Sequence, residues 1–183
     1  MAGLTRHILQ QGPVVAALGR SALMALAQQI DGKGATGAPR TPGQTYTDQV
    51  DPRPKRLVDD VVRWSGGRPR SYRGIVPAYL FPQWGFPLVS RTLTGVTYPL
   101  TRILNAGCRM EIHQQLPAGE PLHVSAQLTD CDDDGRRAIL HQRLVTGTPS
   151  APSALTCDFQ ALVPLARREK GAKPKDKPRV PQE

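Results

Sequence analysis

The stretch GCRMEIHQQLPAGEPLHVSAQLTDCDDDGRRAILHQRLVTGTPSAPSALTCDFQALV, residues 107–163, decides the fold. Apolar Leu122, Val124, Ala126 and Leu128 alternate with His123, Ser125 and Gln127. A two-residue period of this kind turns one set toward a core and the other toward water. Residues 138–145 repeat the pattern, as do 155–163 through Leu155, Cys157, Phe159, Ala161 and Val163. Cys108, Met110 and Ile112 set the buried phase of a further strand. Pro117-Ala118-Gly119 and Asp132-Asp133-Asp134-Gly135 read as turns between neighbours, so four strands predict an antiparallel meander. Its inner face needs an apolar cover.

Residues 75–93, the least polar part of the chain, supply the best cover. Pro77 can open a helix, whereas Pro82 and Pro87 do not fit the interior of a regular one. A broken helix, or two short ones, is expected to carry Tyr79, Leu80, Trp84, Phe86 and Leu88 into the core. Upstream, residues 44–50 alternate as a short edge strand. Asp51-Pro52 then starts a helix with Leu57, Val58, Val61, Val62 and Trp64 on one face, and Ser65-Gly66-Gly67 stops it. The class is therefore α+β. A separate amphipathic helix over 14–30 and a Gly/Pro loop occupy residues 1–43, the main domain 44–165, and a disordered basic tail 166–183.

Of the net charge of +9, the tail carries +4, with seven Lys/Arg against three acids. The +5 on the rest favours an anionic partner without choosing one. Three cysteines without a CxxC spacing argue against a disulfide framework or a zinc site and for a reducing cytoplasm. The apolar run at 14–27 is interrupted by Arg20 and too short to span a membrane, so neither a secretory signal nor a membrane span is expected.

Several groups could carry chemistry. His123 and His141 fall on polar strand faces, His113 is out of phase with Met110 and Ile112, and Glu111 can share a face with His113 as a surface pair. The acids Asp130, Asp132, Asp133 and Asp134 are too closely spaced for a calcium loop and read as a solvated hairpin turn; no metal is expected. Cys108 and Cys157 read as small core residues. Two readings of Arg63, Arg68, Arg70 and Arg73 stand: guanidinium groups that grip phosphates, or solvated loop charges. The aromatics lie in the apolar segment rather than among the basic residues, which argues against nucleic acid.

The segments VPAYLFPQWGFPL (76–88) and YPLTRILNAGCRMEIHQQLPAGEPLHVSAQLTD (98–130) resemble hot-dog fold proteins of the MaoC-like acyl dehydratase group. The likeness is greatest to the non-catalytic N-terminal half of double hot-dog hydratases and covers about residues 44–165. The element Leu116-Pro117-Ala118-Gly119-Glu120 matches the family's turn between strands. The resemblance implies a single hot-dog domain, an antiparallel sheet wrapped round a central, proline-broken helix. It also implies binding of an acyl thioester of coenzyme A or a carrier protein in fatty-acid metabolism. Tyr79, Leu80, Trp84, Phe86 and Leu88 would line the acyl pocket, and Arg68, Arg70 and Arg73 would meet the coenzyme A phosphates. No other cofactor is implied, and a homodimer, or a heterodimer with a catalytic hot-dog partner, is.

Hydratase members carry Gly-Asp-x-Asn-Pro-x-His, whose Asp and His activate water across a conjugated double bond. This chain has no such signature, and residues 74–104 hold no Asp, Glu or His. Catalytic residues are therefore unassigned. The reading is a substrate-accommodating subunit of an enoyl-CoA hydratase or 3-hydroxyacyl dehydratase. Two alternatives stand: a complete hydratase or thioesterase with unrecognised catalytic residues, and a stand-alone acyl-binding module.

Overall fold

A computed structural model describes residues 38–165. The expected helix at 14–30 and the basic tail lie outside them. Strand β1 (Tyr46–Val50) leads to helix α1 (Lys55–Trp64), a short strand β2 (Ile75–Val76) and helix α2 (Pro82–Arg91). Then come β3 (Leu104–Ile112), the two-residue β4 (Leu116–Pro117), β5 (Leu122–Asp133), β6 (Arg137–Gly147) and β7 (Leu155–Pro164). Five strands form one antiparallel sheet in the order β1-β5-β6-β7-β3, and β2 pairs with β4. The α+β plan of a sheet around a central helix is the one expected. No helix among the described residues is long and apolar enough to cross a membrane.

The meander is corrected in one respect. The acidic turn does join the adjacent strands β5 and β6, with Asp132 and Asp133 still paired in β5 and residues 134–136 making the bend, but Pro117-Ala118-Gly119 joins strands that are not neighbours. β3 crosses to the far edge and pairs with β7, while Leu116-Pro117 bonds to Ile75-Val76 in a separate ladder. Local alternation fixes which face a residue occupies. It does not fix which strand lies beside it.

The helical cover breaks at Phe81–Pro82. A 3₁₀ turn (Ala78–Leu80) precedes α2, and Pro82 takes the first helical position, where a missing N–H costs nothing. Pro87 does sit inside α2, contrary to expectation. It leaves the Gln83 carbonyl without its usual donor, and both residues lie on the half-exposed side where water can serve it. Leu80, Trp84 and Leu88 are buried, whereas Tyr79 and Phe86 remain 39% and 40% exposed instead of entering the core.

Three alternate residues of β6 hold α2 in place. Leu144 fills the space beside Gly85, where an added Cβ would come within 2.4 Å of Leu144 Cδ2. Trp84 Nε1 donates to Thr146 Oγ1 at 3.1 Å. Gln142 Nε2 donates to the Val89 carbonyl at 2.9 Å and to Thr92 Oγ1 at 2.6 Å. Buried polar groups need such partners, and here each spends its bond on fixing the helix. The segment after α2 continues along the sheet, with Val96 and Tyr98 against Leu128, Leu140, Ala161 and Val163.

Two expected core contributions fail. Register pairs Cys108, Met110 and Ile112 with inward Phe159, Cys157 and Leu155, so the phase is right. Yet Cys108 is exposed and Ile112 is 61% exposed, because β3 is the sheet's outer edge. Trp64, in phase with Leu57 and Val61, is 71% exposed at the last residue of α1.

Deleting the Leu144 side chain should cost about 2–5 kcal/mol of stability, the range for buried leucine truncation. Gly85→Ala alone should destabilise through overpacking, by up to ~3 kcal/mol. Combined with Leu144→Ala it should cost nothing or stabilise, since the methyl then fills a void and favours the helix. Urea denaturation of the four proteins reads this; strict additivity would refute the contact.

Candidate functional site

Local chain geometry assembles a basic cavity at one end of the sheet. α1 ends at Trp64, and Gly66 (φ +82) turns the chain back. The Pro69–Tyr72 segment forms a 3₁₀ turn, closed by the Ser71 N–H on the Arg68 carbonyl at 3.0 Å. Gly74 (φ +78) then swings into β2, whose pairing with β4 brings Ala118-Gly119 alongside, with the Ala118 N–H donating to the Gly74 carbonyl at 2.9 Å. This partly open cavity has a volume of about 920 Å³ and is walled by Arg53, α1, residues 69–75 and Ala118-Gly119. It lies within the range typical of small-molecule sites.

Five basic side chains reach its walls: Arg53, Lys55, Arg63, Arg70 and Arg73. Asp59 is the one acid there, and it pairs with Lys55. Arg63 Nη1 lies 3.0 Å from Asp60 Oδ1. Arg70 and Arg73 are exposed and make no ion pair among the described residues. Of the arginines singled out by sequence, Arg63, Arg70 and Arg73 therefore come together. Arg68 is exposed and outside the wall.

Arg53 was not anticipated. It sits between Pro52 and Pro54, in a segment legible only as a helix start. Its Nε is buried without a hydrogen-bond partner. Burial lowers the guanidinium's affinity for its proton, with Asp51 pulling the other way. No sequence signal marks the Arg53 Nε as buried, since that depends on how α1 and residues 69–75 come together around the shared cavity.

None of the five expected acyl-lining residues touches this cavity. Leu80, Trp84 and Leu88 pack into the main core, and Phe86 stands 6.1 Å, ring to ring, from both Phe81 and Phe159. Tyr79 is nearest the site. Its ring meets Tyr72 of the cavity wall edge-on at 6.1 Å, and its hydroxyl lies 3.3 Å from Ser65 Oγ.

Among the described residues no histidine lines the cavity. His141 Nε2 lies 2.8 Å from Asp132 Oδ2, but register places both on the sheet face opposite α2. His113 lies 3.1 Å from Thr156 Oγ1 and 4.0 Å from Glu111, a surface pair as expected, and His123 is exposed. The acidic hairpin is divided among separate tasks. Asp133 accepts from the Tyr98 hydroxyl at 2.6 Å, and burial together with this bond pushes that phenol's pKa up. Asp134 accepts the backbone N–H groups of Arg136 and Arg137, which hold its carboxyl below the usual range. Glu120, at the end of the Leu116–Glu120 element, accepts from the Ser150 hydroxyl and N–H, which lower its pKa.

No protein-family profile matches the chain, and no curated protein matches it in sequence. Solved structures do match in shape. The C-terminally truncated HadBC (3R)-hydroxyacyl-ACP dehydratase complex of Mycobacterium tuberculosis superposes with a TM-score of 0.56 at 11% identity, over 68% of this chain and 98% of that one. The ChsH1–ChsH2 complex of the same organism gives 0.50 at 14% identity, over 89% and 99%. A MaoC-like dehydratase gives 0.51 at 17% identity; 68% of this chain spans 42% of that protein. What is shared at such identities is the fold, a hot-dog sheet of the kind MaoC-like dehydratases have.

The thiols differ in accessibility. Cys157 is fully buried, and burial pushes its pKa up to about 12 from an ordinary 9.0. A raised folded pKa means its contribution to stability is complete below about pH 9 and is lost as pH climbs toward 12. Ellman's reagent at pH 8 should label exposed Cys108 quickly and Cys157 only at the rate of unfolding. Fast labelling of Cys157 in the folded protein would contradict its placement in the core.

Proposed function

We propose that this chain binds acyl thioesters of coenzyme A or a carrier protein as the non-catalytic, substrate-accommodating partner in a hot-dog hydratase or dehydratase. One observation carries the reading: a large cavity between α1 and the 69–75 loop is walled by five cations, with no histidine among the described residues and with its carboxylate, Asp59, already tied to Lys55. Hydration of an enoyl thioester needs a base to take a proton from water and an acid to protonate the α-carbon. Among the described residues of the wall only Asp59 is an acid or base of that kind, and it is paired with Lys55. When the hydratase signature is laid on residues 65–71 with prolines matched at Pro69, Gly66 stands in place of its Asp and Ser71 in place of its His.

Binding chemistry remains. Arg70 and Arg73, with Arg68 flanking them on the same turn, suit phosphate oxygens. The acyl chain would run along α2 past Leu80, Trp84 and Leu88, with half-exposed Tyr79 and Phe86 at its ends. Residues 44–165 form the functional unit in this reading, in the cytoplasm, with 166–183 as a linker. An association surface is also at hand. Edge strand β3 displays Leu104 and Ile112 at 55% and 61% exposure, next to Ile103. An uncovered apolar edge favours pairing with a second hot-dog unit, and two of the structural neighbours, HadBC and ChsH1–ChsH2, are complexes.

The purified chain should leave crotonyl-CoA absorbance unchanged; measurable hydration or thiol release ends the non-catalytic assignment. Acyl-CoA should bind, and reversing both Arg70 and Arg73 to Glu should weaken it at least tenfold in calorimetry. Mixing with a hot-dog subunit that carries the Asp/His signature should give a complex by sedimentation. Replacing Ile112 with Glu should weaken that complex.

A further inference from the structure

We infer that half-buried Arg53, through its buried Nε–H, anchors an anion site that takes the phosphate or diphosphate group of an organic ester. The inference deepens the proposed acyl-thioester reading and rests on it only for the identity of that ester. Its own basis is the imbalance of the cavity wall.

Of the five cations there, Lys55 and Arg63 are matched by Asp59 and Asp60. Arg53, Arg70 and Arg73 have no hydrogen-bonded acid among the described residues. Three guanidinium groups around one space repel each other, and an anion between them removes that repulsion.

Arg53 differs from the other two. Arg70 and Arg73 are exposed and can turn to water, whereas the Arg53 Nε–H is buried and has no acceptor. A buried donor left unmade is rare in folded proteins and is most simply explained by a partner that is not part of the chain. Asp51 acts on Arg53 through its charge, without a hydrogen bond. The side chain is also held in place, entering the wall between Pro52 and Pro54, both of restricted backbone. A pre-positioned guanidinium suits the tetrahedral oxygens of a phosphoryl group better than a mobile lysine does.

Size narrows the ligand. About 920 Å³ far exceeds an inorganic phosphate, so the phosphoryl group belongs to a larger molecule. Tyr72, in the wall and set edge-on to Tyr79, offers that remainder an aromatic surface.

The probe is inorganic pyrophosphate, titrated into the full chain by calorimetry and by nitrogen-detected NMR of arginine Nε–H groups. Binding that weakens with rising salt, with the Arg53 Nε–H resonance moving at saturation, is the expected result. Arg53→Met should weaken binding at least tenfold, and Arg53→Lys, which keeps the charge but loses the fork, several-fold. An unmoved Arg53 resonance, or affinity unchanged in Arg53→Lys, overturns the inference. The NMR readout decides it even where Arg53→Met does not fold. Pyrophosphate bound at Arg53 without any acyl-CoA affinity keeps this site and removes the acyl-thioester reading. Acyl-CoA bound with the Arg53 resonance unmoved does the reverse.

Discussion

The seat of α2 on strand β6 is the contact on which the rest of the molecule depends. Leu144 lies in a row across the sheet, paired with Ala126 on one side and Cys157 on the other, and Gly85 lets the helix backbone come down onto it. Apolar packing alone would let a ten-residue helix slide or rotate. Gln142 and Thr146, two residues to either side of Leu144, prevent this by bonding to opposite ends of the helix. One strand thus sets the height, the axial position and the rotation of the cover. The elements upstream are placed separately, β1 by pairing with β5, and β2, next to the 69–75 loop, by pairing with β4.

The division of labour along the molecule follows from that seat. Other carboxylates, and His141, are engaged elsewhere, in a cross-strand pair on the outer face, a hairpin tip and a bond to Ser150. Arginines gather where α1 and the loop border a space left open by the described residues. The result, among the described residues, is a cavity wall rich in guanidinium groups and set apart from the His141–Asp132 pair. A shared fold with dehydratases is compatible with this, because fold sets the scaffold and side chains set the chemistry.

How legible was this in the sequence? The strands of the sheet could be read because a period of two survives in Leu122–Leu128 and Leu155–Val163 without any tertiary information. The break before Pro82 could be read for the same reason, since proline's limits are local. The path of β3 could not. Cys108 and Ile112 carry the right phase, but whether anything covers them depends on which edge the strand joins. Pro87 was misjudged because its tolerance depends on the Gln83 carbonyl facing water. Arg70 and Arg73 were visible as a cluster, whereas Arg53 looks like any helix-entry residue until the loop folds over it.

The register slip at Thr129 in β5 has a consequence of its own. Upstream, even-numbered Leu122 to Leu128 point inward; past the slip, odd-numbered Cys131 and Asp133 do, and Asp133 meets Tyr98. One surplus residue has changed the parity of a single strand midway along its length. The two halves are therefore insulated from one another. Drift in the length of the hairpin tip falls beyond the slip and leaves the inward frame of Leu122–Leu128 as it is.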